Sequence, residues 1–231
     1  MKERLPILTL LLVIECCGVH QWPAAREFLI QNRDSVHSGE WWRLFTGNLV
    51  HHSASHLCWN CLVVAFAGTV VERTSRRGWL ACTAAAACLI GPVLHFMCPA
   101  MIAYAGMSGI ATALVACHLT GCLRFPGAHR WIGTSGLVLL TAKLGWESMT
   151  TSSLFTSFNS VTVVNIPEAH WVGLAVGIFA YLAVKRTHQG PFCQRERTNS
   201  VNYFMEAESS SFQAGGFDPS GPVTALNNMT R

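Results

Sequence analysis

The sequence predicts an all-α, polytopic membrane protein: a bundle of six transmembrane helices with a short fourth helix. Three observations predict it. Hydrophobic residues make up 51% of the 231 residues and charged residues only 12%, about half the charged share of a soluble domain. Six apolar runs, over residues 5–19, 56–71, 79–97, 108–123, 131–149 and 169–184, each approach the roughly 20 residues that cross a hydrocarbon core. Lys and Arg are biased to alternate connecting segments, as membrane topology requires.

The first run follows Lys2 and Arg4, as a signal peptide would, but no small-residue cleavage site follows and further spans do, so it reads as helix one. A long polar segment with Arg26, Arg33 and Arg43 leads to helix two, which opens at His56. Helix three runs from Trp79 to Met97, helix four opens at Ser108, helix five runs from Trp131 to Met149, and helix six opens at Ala169-His170. Lys2 and Arg4, then Arg73, Arg76 and Arg77, then Arg124 and Arg130, then Lys185 and Arg186 fall on one side. The loops near 98–103 and 150–167 on the other side contain no Lys or Arg. Both termini are therefore expected in the cytoplasm. Residues 1–190 read as the membrane domain. Residues 191–231, with Ser209-Ser210-Ser211 and Gly215-Gly216, read as a flexible cytoplasmic tail, in which Asn228-Met229-Thr230 is a chance sequon. The Ser/Thr-rich, uncharged segment from Thr150 to Asn165 is a candidate gate for lateral access of substrate. No internal repeat suggests a two-halved transporter.

The net charge of +4 is modest and spread out, which argues against a nucleic-acid partner. Cys82, Cys88, Cys117 and Cys122 lie in apolar runs, where cysteine behaves as a small hydrophobe. Cys58 and Cys61 form a CxxC, a redox or zinc cue, but no second pair matches it and packing is the simpler reading. Cys16-Cys17 are open to either exposure or oxidation.

Strongly polar groups at membrane depth are functional candidates, and His56, Asn60, Ser108 and His170 stand out. His56, Ser108 and His170 each precede the first inner-side charge of their helix by about 15 or 16 residues, so all three lie roughly 22–24 Å above it. Asn60 is one turn deeper than His56 on the same face. Three helices thus bring a hydroxyl, an imidazole and a His–Asn pair to one level, the set that acyl transfer needs: nucleophile, base and oxyanion donors. Ser108 sits in Gly106-Met107-Ser108-Gly109 at a helix start, where unpaired N–H groups can meet an oxyanion. The plain alternative is a serine that merely caps its helix. Gly173 and Gly177, one turn apart, form a close-packing face whose expected partner is Gly109 with Ala113, which would bring His170 to Ser108. His52 and His56 have the i, i+4 spacing of a metal pair, but nothing nearby completes a site, so neither metal nor cofactor is expected.

His51-x4-His56-x3-Asn60, Gly106-x-Ser108-Gly109 and Ala169-His170-x2-Gly173-x3-Gly177 resemble, in order, the motifs of the rhomboid intramembrane proteases. Trp42-Arg43 resembles the Trp-Arg pair of their first outer loop, and Gly68 with Glu72 the foot of their second helix. The resemblance implies a Ser108–His170 dyad without an acid, cleavage of transmembrane substrates near the outer face, and an oxyanion hole of His56, Asn60 and the Ser108 N–H. It assigns His51 to holding the outer loop or a water. Gly39-Glu40-Trp41-Trp42-Arg43-Leu44-Phe45-Thr46-Gly47-Asn48 and Ala142-Lys143-Leu144-Gly145-Trp146-Glu147 are similar to the rhombosortase branch. That branch implies a bacterial inner-membrane enzyme whose site faces the periplasm, acting on secreted proteins with a C-terminal Gly-Gly, an apolar span and a basic tail.

Two features depart from the pattern or stand outside it. Many rhomboids have Tyr one turn after the serine, stacked on the histidine; here that position is Thr112, so another group must orient His170, and adjacent Glu168 is not reliably placed to do so. Lys143 and Glu147 share one face of helix five and read either as a structural ion pair or as a substrate contact. Competing functions are a general rhomboid protease with other substrates, a non-catalytic client-binding relative, and a transporter or channel. The last is disfavoured because the polar groups stop in the outer third.

Overall fold

A backbone in lipid has no water to bond, so each apolar run satisfies its own N–H and C=O groups by coiling. The computed structural model describes residues 5–150 and 166–187. In chain order its helices are α1 (Ile7–Gln21), α2 (Pro23–Leu29), α3 (Arg33–His37), α4 (Arg43–Thr46), α5 (Ala54–Thr74), α6 (Arg76–Met97), α7 (Ser108–Cys122), α8 (Ala128–Thr150) and α9 (Pro167–Thr187). A 3-10 turn covers Gly47–Leu49, and two short strands, β1 (Gln31–Asn32) and β2 (Ala103–Tyr104), pair antiparallel with Gln31 opposite Tyr104. By length and composition α5, α6 and α9 can each cross a membrane. The α1–α2 pair makes a fourth candidate, bent by 108°, and α7 is a shorter apolar helix. The chain divides into two units, residues 1–186 and 187–231, and the description below concerns the first. The tail beyond 190 and the Ser/Thr-rich stretch 151–165 lie outside the described residues.

Helix ends depart from the apolar runs for a local reason. Ser53 and Ser75 are N-caps whose hydroxyls accept from His56 N at 3.1 Å and Gly78 N at 3.0 Å. Capping the orphan N–H groups there starts α5 and α6 before their apolar runs, so His56 sits inside the first turn of α5 rather than at its start. The long segment between α1 and α5 contains α2, α3, α4 and β1. These pieces are too short for a periodicity signal and are held by side chains to distant backbone. Arg33 donates to the carbonyls of His95, Cys98 and Met101, satisfying acceptors at and just beyond the end of α6.

Helix α7 is the axis of the bundle: eleven of its fifteen residues are buried, and it packs against α5, α6 and α8. At the far end of α5 from His56, Glu72 is buried and clasps α1. Its carboxylate accepts from Leu8 N at 3.1 Å, Thr9 N at 2.8 Å and Thr9 Oγ1 at 2.9 Å, an anion placed on a helix N-terminus. Gly68, one turn earlier, admits Thr9: a Cβ there would lie 2.9 Å from Thr9 Cγ2. Glu72→Ala leaves these donors unpaired and is expected to cost about 2–4 kcal/mol, read as a lower unfolding temperature in detergent. Exposed Glu15→Ala should leave that temperature unchanged.

Candidate active site

The segment before Ser108 is shaped by glycine and tied to the first loop. Gly106 has φ +145°, a conformation that L side chains rarely adopt, and a Cβ there would lie 2.7 Å from His56 Cε1. Gly106 N donates to Gly47 O at 3.1 Å, and Tyr104 OH donates to Gly106 O at 2.8 Å. Met107 N donates to His51 Nε2 at 3.4 Å. His51 is fully buried, its ring edge-on to His56 at 5.2 Å. His51 thus ties the segment before α5 to the segment before Ser108.

Ser108 is the first residue of α7, with Met107 at the N-cap position and no side chain capping the helix. The serine is therefore not its own helix's cap, and α7 differs from α5 and α6 in that, among the described residues, no side chain accepts from its first N–H groups.

Against this turn lies the start of α9. A Cβ on Gly173 would fall 2.2 Å from Gly109 O, one on Gly177 2.2 Å from Ala113 O, and one on Gly109 2.9 Å from Ala169 O. The two backbones touch along the stripe that the spacing predicts, so the first turns carrying Ser108 and His170 face each other. Among the described residues no hydrogen bond yet joins Ser108 Oγ to the imidazole; such bonds often tighten only when substrate is bound. His56 is close enough to His170 to interact with it electrostatically. Asn60 is buried, its Nδ2 without a partner among the described residues. Trp42 and Arg43 do not reach this cluster. Trp42 stacks on Phe28 at 5.3 Å, while Arg43 pairs with Glu40 and donates to the carbonyls of Glu27 and Ile30 at 2.6 and 2.9 Å, bracing the first loop. Among the described residues, no group of three or more His, Cys, Asp and Glu is placed to hold a metal.

One contact escapes sequence reasoning. Lys143 Nζ is 2.8 Å from Glu147 Oε2, the expected ion pair, but the same oxygen is 3.1 Å from His170 Nδ1. The signal was available in outline: Glu147 stands one turn from the end of α8 and His170 one turn from the start of α9, so antiparallel packing levels them. Glu168, the acid nearest His170 in sequence, is exposed.

The family described as Rhomboid domain matches residues 38–187. The chain belongs to the rhomboid family. The match begins just before Trp42-Arg43 and runs to the end of α9, taking in every residue of the cluster. The chain is also similar to "Rhomboid protease GluP" of Bacillus subtilis (strain 168), with 30% identity over 164 residues, covering 69% of this chain and 29% of that protein. It thus spans less than a third of that rhomboid relative's length.

Burial, and secondarily its neighbour His56, hold the His51 imidazole down at about 3, against an ordinary 6.5. Below pH 6.5 the unfolded chain therefore binds a proton that the folded one refuses. The stability His51 contributes is complete above that pH and is lost as the pH falls toward 3. Unfolding temperature in detergent should drop on acidification through this window, and His51→Gln, which keeps an acceptor for Met107 N, should make the drop shallower.

Proposed function

We propose that the chain is an intramembrane serine protease with Ser108 as nucleophile and His170 as general base. The observation that carries this reading is the glycine-lined contact of α7 with α9, which sets a helix-start serine opposite an imidazole whose Nδ1 is already bonded. A neutral hydroxyl is a poor nucleophile until a base takes its proton. As Ser108 Oγ bonds to the substrate carbonyl carbon, its proton passes to His170 Nε2 and the carbonyl π electrons move onto oxygen. The oxyanion is met by the Ser108 N–H, by Asn60 Nδ2 and by His56. The tetrahedral adduct then collapses, the C–N bond breaks, and the proton on Nε2 leaves with the amine. Water, deprotonated by the same nitrogen, next hydrolyses the acyl-enzyme.

The substrate class is a protein anchored by a transmembrane segment. Similarity of the Gly39–Asn48 and Ala142–Glu147 stretches to rhombosortases favours anchors with a C-terminal Gly-Gly, an apolar span and a basic tail. The Lys/Arg bias favours both termini inside, and the rhombosortase similarity favours a bacterial inner membrane with the site toward the periplasm. At fifteen residues, α7 is roughly 22 Å long, short of a hydrocarbon core of about 30 Å. Its N-terminus therefore opens below the outer surface, where water and a substrate backbone can meet.

The test is cleavage, in membranes, of a reporter carrying that Gly-Gly, apolar span and basic tail. Wild type should release the reporter, whereas Ser108→Ala and His170→Ala should each lower release by at least about 10³-fold. Asn60→Ala should cost about 10²-fold, the loss typical of one oxyanion donor. If only a general transmembrane substrate is cut, the narrow substrate assignment fails. If wild type and Ser108→Ala are equally inert, the protein is a client-binding relative.

A further inference from the structure

We propose that Glu147 is a positioning residue of this site, its carboxylate holding the His170 ring with Nδ1 protonated and Nε2 free to take the Ser108 proton. The inference rests on the protease reading above and departs from the acid-free dyad that the family resemblance implies. Glu147 Oε2 lies 3.1 Å from His170 Nδ1 and 2.8 Å from Lys143 Nζ. A carboxylate can only accept, so the ring nitrogen facing it must carry the hydrogen. That leaves Nε2 as the basic atom.

Three further observations separate positioning from a plain ion pair. Glu147 is 1% exposed, whereas the Lys143 side chain is 25% exposed. A pair made only to neutralise Lys143 had no need to carry the carboxylate inward onto a second cation-forming group, where its own desolvation is greatest. The residue one turn beyond Ser108 is Thr112, whose hydroxyl donates to Ser108 O at 2.8 Å, so no aromatic ring stands there to hold the imidazole. A second bond fixes how α9 is turned toward α8: Trp171 Nε1 donates to Ser148 Oγ at 3.0 Å, so His170 and Trp171 are both referenced to consecutive residues of α8. When Nε2 gains the serine proton, the imidazolium faces an anion that was in place beforehand. The carboxylate stabilises that cation without taking the proton itself.

The test uses purified full-length protein in detergent, with two readouts: the rate at which a fluorophosphonate probe phosphonylates Ser108, the Oγ–P bond forming as fluoride leaves, and kcat and KM for the membrane reporter. Glu147→Gln turns an acceptor toward Nδ1 into an amide and also removes the carboxylate that pairs with Lys143, so it is paired with Lys143→Gln/Glu147→Gln, which removes both charges and leaves a neutral pair. The double variant should melt like wild type, bind reporter with unchanged KM, and lose at least about 10²-fold in kcat and in probe phosphonylation, a conservative fraction of the loss when a triad acid is replaced by its amide. Glu147→Asp, which keeps the charge, should recover part of that loss. A stable double variant with wild-type kcat would overturn the positioning role and leave the protease reading intact. A wild type that the probe labels no faster than Ser108→Ala would overturn both.

Discussion

The site depends on a backbone-to-backbone contact. Lipid gives two apolar helices no reason to prefer each other over hydrocarbon chains, so their association must come from close packing. Helices α7 and α9 achieve it by removing side chains from the seam. Gly173 lies against the Gly109 carbonyl and Gly177 against that of Ala113, at separations where a Cβ would be 2.2 Å from oxygen. Any larger residue at either position would push the helices apart. Register along the seam then follows, because the small residues meet in only one alignment, and that alignment opposes Ser108 to His170.

The first loop braces the end of the bundle where that seam begins. A Cβ on Gly91 would fall 1.7 Å from the Leu44 carbonyl, so α4 rests directly on the α6 backbone. Gln31 Nε2 donates to Gly91 O at 3.2 Å, just before Pro92 interrupts the α6 ladder. Arg33 collects the last carbonyls of α6, Arg43 collects those that end α2, and β1 pairs with β2 immediately before the Gly106 turn. These ties shape the approach to Ser108, while among the described residues no side chain caps the first turn of α7.

Two buried glutamates show how partners assign roles to one residue type. Glu72, at the end of α5 remote from the site, accepts from the first amides of α1 and closes a helix pair. Glu147, near the end of α8 at the site, lies between an ammonium and an imidazole. Each is nearly inaccessible to solvent and each is paired, as a buried charge must be. The first partner set holds fixed amides. The second includes a group that can gain a proton.

Sequence alone determined the helical segments, because a run of apolar residues in lipid has one way to satisfy its backbone. It also led to the expectation of a common level for His56, Ser108 and His170, because helical rise converts residue count into depth. The glycine stripe of α9 and its partner on α7 were legible for the same reason: small residues at a spacing of four leave one face bare. What only the tertiary structure decided depends on side chains meeting across long separations. The arginine-tied helices of the first loop have no periodicity to read. That Glu147 is shared between Lys143 and His170 turns on the rotation of α8 about its own axis, and packing against α7 and α9 sets that rotation, not any local pattern in the chain.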